Sequence, residues 1–194
     1  MDDELSTRER RLSPMLIVHS GQGKGKSTAA FGMALRAWQQ GWPVHVFQFI
    51  KSGKWRTGEQ AAFAALDEAH RSTGVGGPVS WEIMGAGWTW LRATRDVEAD
   101  QQARDGFARV AELLASGEPG MFVLDEFNHV LARGWLAVDE AVDVFDRRRP
   151  GQHIVVTGRG APQALIDAAD LVTEMTKIKH PFDSGQRGQA GIEW

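Results

Sequence analysis

The stretch Ser20–Thr28 reads SGQGKGKST: three glycines, two lysines and a hydroxyl pair. Glycines at such spacing let the backbone curl until successive N–H groups point inward as a nest for an anion. The common phosphate-loop pattern, G-x-x-x-x-G-K-[ST], would put a glycine five places before Gly25, and that place holds Ser20. The flanks settle the reading. MLIVHS (Met15–Ser20) is a short apolar run rich in branched residues, which predicts a buried strand. STAAFGMALRAWQQ, after the glycines, carries apolar residues at helical spacing, with Gly41 placed to end the helix. Strand, glycine turn and helix in this order indicate a phosphate site more than a plain turn with two solvated lysines. Ser20 then marks an altered loop.

On that reading Gly21, Gln22, Gly23, Lys24, Gly25, Lys26, Ser27 and Thr28 bind a nucleotide. Lys26 is the main charge partner for phosphate oxygens and the catalytic candidate. Ser27 is positioned to hold a magnesium ion, and Thr28 to add a hydrogen bond. The second half of such a site is an acid after another apolar strand. MFVLDE supplies Asp125 and Glu126, expected to reach the magnesium directly or through water. Glu126, Asn128 and His129 could each orient water or act as a base, although a lone histidine is more often structural. The residues alone lead to a protein that binds Mg-ATP and transfers some part of it.

The rest of the chain fits one domain. Strands are expected at Val44–Ile50, Val79–Met84, Met121–Leu124, His153–Thr157 and Leu171–Met175, alternating with helices. Strands apolar on both faces between helices indicate an α/β fold, a mostly parallel sheet flanked by helices, of the P-loop (RecA-like) kind. Residues 1–14 read as a flexible polar arm and 15–194 as the domain. Of the 194 residues, 42% are hydrophobic and 24% charged, and the net charge is -3. That balance disfavours bulk nucleic-acid binding. The lack of cysteine excludes disulfides, thiolate metal sites and cysteine nucleophiles. No apolar run nears the roughly 20 residues of a membrane helix, and the charged start lacks a signal peptide's apolar stretch. The expected setting is cytoplasmic. Eight tryptophans stand beside no tyrosine. Core filling explains a scattered one; Trp88 and Trp90, alternating in a glycine-flanked loop, fit that explanation poorly.

SGQGKGKSTAAFGMALRA, VFQFIKSGKWRTGE, MGAGWTW, FVLDEFN, VTGRG and KHPFDSGQRGQAGIEW occur together in this order. As a set they resemble the ATP:corrinoid adenosyltransferases of cobalamin biosynthesis, from about Met15 to Trp194. In that family the shortened loop is the norm. The resemblance implies that a corrinoid reduced to Co(I) attacks the 5′ carbon of ATP, so that the adenosyl group moves to cobalt and triphosphate leaves. It also implies ATP lying in reverse along the loop, its γ-phosphate where other enzymes place the α-phosphate. A metal nucleophile needs no deprotonation, which suits a sequence without an evident general base. Arg36 and Arg159 become further candidates for phosphate contact, or else surface or ion-pair arginines. Trp88 and Trp90 become a wedge under the corrin that displaces the lower axial ligand, so that a weak reductant reaches Co(I). Family members often carry phenylalanine at the first of these positions. A flavin-type reductase and a homodimer are the implied partners, with no nucleic acid and no membrane. The rival readings are a P-loop kinase or ATPase, which would release ADP, a nucleic-acid motor, and an ATP-driven regulatory switch.

Overall fold

The runs expected as strands lie side by side in the computed structural model, which describes Ser6 and residues 13–50, 57–85 and 96–192. They are β1 (Met15–Ser20), β2 (Val44–Phe49), β3 (Val79–Met84), β4 (Gly120–Asp125), β5 (Gln152–Thr157) and β6 (Leu171–Glu174). Every pairing is parallel and the order is β3-β2-β4-β5-β1-β6. The expectation of a helix-flanked parallel sheet in one α/β domain holds. β5 stands between β1, which enters the glycine loop, and β4, which ends in the acidic pair.

β4 and β5 are buried throughout, as apolar runs with helices on both faces must be. Alternate residues feed two cores. On one face Ile17, Val46, Val123 and Val155 pack under α1 (Lys26–Gln39) and α2 (Gly58–Thr73). On the other, Val18, Phe49, Leu124 and Val156 pack under α3 (Asp96–Ser116), α4 (Asn128–Ala132), α5 (Val138–Asp146) and α6 (Gln163–Ala168). α1 buries Ala30, Phe31, Ala34, Ala37 and Trp38, one stripe at helical period. Burial of Phe31 alone stabilises by about 1.5–3 kcal/mol. Gly41, with φ +80°, closes this helix as its position suggests.

Some boundaries differ from expectation. α2 ends at Thr73, where Gly74 in the left-handed region stops it. β2 ends at Phe49 because Ile50, still buried, leaves the extended backbone with φ +70°. α4 has no counterpart in the sequence reading: five residues are too few to show a period, and Gly134 at φ +68° follows at once. Trp38 and Trp135 are core residues, and Trp42 stacks on His153 at 5.0 Å. Core filling thus accounts for these tryptophans; Trp55, Trp88, Trp90 and Trp194 lie outside the described residues.

Candidate functional site

A parallel sheet carries the C-terminal ends of all its strands to one edge, where loops collect ligand-binding groups. Here that edge gathers the glycine loop after β1, the acidic pair after β4 and the Gly158–Gly160 turn after β5. Gly21 (φ +93°) and Gly25 (φ +106°) supply the left-handed turns that curl the loop. Gly21 and Gly23 also leave room for another strand's end. A Cβ on Gly23 would come within 2.7 Å of the Met175 carbonyl oxygen, which accepts the Gly23 N–H at 2.6 Å. One N–H of the loop is therefore committed to the chain beyond β6 and not to an anion.

Lys26 opens α1 and is 8% exposed. Its Nζ donates to the carbonyls of Gly21 (2.9 Å) and Gly23 (2.6 Å), leaving one of its three protons for a ligand. Burial is the main cause holding its pKa below the usual lysine value; Glu126 raises it, and Arg159 and Lys24 lower it. Lys24 is lowered too, first by burial and then by Arg159. Three cations this close repel one another, so a polyanion among them would be strongly favoured.

They face a cavity of about 580 Å³. Lys24, Lys26, Ser27 and Thr28 line one wall, with Glu126, His129 and Arg159 beside them. Phe31, Thr57, Glu59 and Ile192 complete it. The loop, the second acid and the VTGRG arginine, far apart in sequence, thus meet in one space. Gln22 is exposed and outside that wall. Arg36 is not brought there: it is exposed in the last turn of α1, about 15 Å along the axis from Lys26. Trp88 and Trp90 lie outside the described residues.

The acidic pair divides in two. Asp125 is fully buried and off the cavity wall. Its Oδ1 accepts from the Thr157 hydroxyl (2.8 Å) and its Oδ2 from Gln48 Nε2 (3.3 Å). Glu126, half-buried, turns into the cavity at φ +62°, and its Oε2 lies 3.1 Å from His129 Nε2. Asn128, behind it, donates to the Gly158 carbonyl at 2.8 Å and so holds the turn that carries Arg159.

Gln48, Asp125, Thr157 and His19 lie at or next to the ends of four adjacent strands on the α1 face, a polar row beneath the loop. His19 is 5% exposed with neither ring nitrogen hydrogen-bonded among the described residues, and burial lowers its pKa. The sequence reading missed this row, along with Met175, Thr57 and Glu59. Its one visible signal was that polar residues end otherwise apolar strands.

Residues 13–194 match the family described as ATP:corrinoid adenosyltransferase BtuR/CobO/CobP. The corrinoid adenosyltransferase of Pseudomonas aeruginosa is 43% identical over 193 residues, 99% of this chain and 89% of the relative. That of Escherichia coli K12 is 37% identical over 181 residues, 93% of this chain and 85% of the relative. The corrinoid adenosyltransferase CobA of Salmonella typhimurium is 38% identical over the same length and shares. The matched span takes in the strand that enters the loop and the residues that line the cavity, and the chain belongs to the ATP:corrinoid adenosyltransferase family.

Proposed function

We propose that this protein transfers the 5′-deoxyadenosyl group of ATP to the reduced cobalt of a corrinoid and releases triphosphate. The observation that carries the reading is the cavity itself, where Lys24, Lys26 and Arg159 converge with the N-terminus of α1. A leaving group of about four negative charges needs such a cradle more than it needs a base. Cobalt(I) supplies its own electron pair: the new bond is cobalt to the 5′ carbon, and the broken bond is that carbon to triphosphate oxygen. No proton moves in that step, so His129, already paired with Glu126, has no base role to fill.

Magnesium fits the residues present. Ser27 and Glu126 offer oxygen donors on the wall shared with Lys26, as a hard cation prefers. Among the described residues no three His, Asp or Glu side chains form a metal cluster, so the ion would enter with the triphosphate. Once bound it would neutralise charge on the departing phosphates. Asp125, buried behind Glu126, would act through its neighbours and through water. Gly23, Gly25 and Thr28 complete the nucleotide contacts of the reading, and Gly21 shapes the loop.

Trp88 and Trp90 are proposed as the wedge beneath the corrin. Their segment leaves β3 at Met84, at the same sheet edge as the loop, which supports that role. A flavin-type reductase would supply the electrons for Co(I). A cytoplasmic setting agrees with a cysteine-free chain, and no described helix is long and apolar enough to cross a membrane. Leu171 and Val172 are exposed on β6, the strand at one side of the sheet, and that strand would be offered to a second copy in a homodimer. Product identity tests the central reading: one triphosphate per adenosylated corrinoid is expected, and ADP would move the protein to the kinases or ATPases.

A further inference from the structure

We propose that Thr157 is the positioning residue of the acidic pair, a single buried hydroxyl that sets both Asp125 and Glu126. This rests on the reading of Glu126 as a magnesium ligand. Thr157 ends β5, is fully buried and does not line the cavity, so it acts only through others. Its Oγ1 donates to Asp125 Oδ1 at 2.8 Å and accepts the Glu126 N–H at 2.9 Å. One hydroxyl thus uses its only proton on one acid and a lone pair on the next.

The second bond matters because Glu126 sits at φ +62°, a region that side-chain-bearing residues seldom enter. Such a conformation persists only where the surroundings hold it. The Thr157 oxygen holds the N–H of that strained residue, while Gln48 holds the other oxygen of Asp125 at 3.3 Å. With its backbone pinned, Glu126 presents its carboxylate to the cavity beside His129. β5 lies between the loop strand β1 and the acid strand β4, so Thr157, in register with His19 of β1, stands between the two halves of the site.

Valine copies the shape of threonine but can neither donate nor accept. Thr157→Val would leave the Asp125 oxygen and the Glu126 N–H without this partner. The test compares the affinity of the full chain for ATP, by calorimetry, with Mg²⁺ and with EDTA. Thr157→Val is expected to cut the Mg²⁺-dependent gain in affinity about tenfold, the scale of one charge-assisted hydrogen bond. Binding in EDTA should stay as in the parent protein, and Thr157→Ser should restore the gain to within about twofold. Should the valine variant not fold, Thr157→Ala, which likewise lacks the hydroxyl, carries the same comparison. Equal weakening with and without Mg²⁺, or an unchanged gain, would overturn the positioning role. Glu126→Gln separates the two claims. If it leaves the gain intact, the metal reading itself is overturned; if it removes the gain while Thr157→Val does not, only the role of Thr157 fails.

Discussion

Lys26 spends two of its protons on loop carbonyls before any ligand arrives, so its charge is already aimed. Lys26→Ala removes one charge-assisted contact and should weaken ATP binding by about 10- to 100-fold, as 1.5–3 kcal/mol implies. Equilibrium binding of labelled ATP checks this, and unchanged binding would place the phosphates elsewhere. Trp90→Ala should impair use of a Co(II) corrinoid far more than use of chemically pre-reduced Co(I). Equal loss with both would contradict the wedge. At this scale the sequence was partly legible. Lys26 can be picked out because its partners, the Gly21 and Gly23 carbonyls, are neighbours in the same loop. Thr157 does not, because its partners Asp125 and Glu126 lie 32 and 31 positions away and meet it only through β4–β5 register.

The elements constrain the loop from outside. Gly23 is boxed in by the chain after β6, with Met175 and Thr176 oxygens at 2.7 and 2.8 Å from a would-be Cβ. Gly23→Ala should therefore displace that segment and cost about 1–3 kcal/mol in urea unfolding, with weaker ATP binding. A stable variant with normal binding would mean that the segment yields freely. α2 and β3 are joined by Asp67, whose Oδ1 accepts the Val79 N–H at 2.9 Å while Arg71 pairs with Oδ2. The Val79 bond, foremost, and Arg71 hold its carboxyl below the usual aspartate value despite burial. A folded pKa below the unfolded one gives stability that is present above about pH 4 and lost as pH falls through the folded value. Asp67→Asn should then be less stable than the parent at pH 7, and the gap should shrink near pH 3. A gap independent of pH would remove the charge from the account. Strands and long helices were legible because burial on both faces and the helical period leave a pattern. α4 and the Ile50 turn were not, since one turn of helix and one positive φ leave none.

Across the whole molecule, alternation of strand and helix announced the parallel sheet, but the order β3-β2-β4-β5-β1-β6 was beyond the sequence. Order depends on which faces meet, and apolar strands such as MFVL and HIVV could exchange places without altering any local pattern. That order puts the glycine loop, Glu126 and Arg159 around one cavity and leaves Arg36 at the far end of α1. The proposed chemistry, in which a polyanion leaves and a metal-centred nucleophile arrives, draws on both the family match and the cavity. The most direct measurement is anaerobic incubation with Mg-ATP and a Co(I) corrinoid, following the visible spectrum and the phosphate product together. A light-sensitive adenosylcorrinoid appearing with an equal amount of inorganic triphosphate is the predicted result. ADP and phosphate beside an unaltered corrinoid would contradict it.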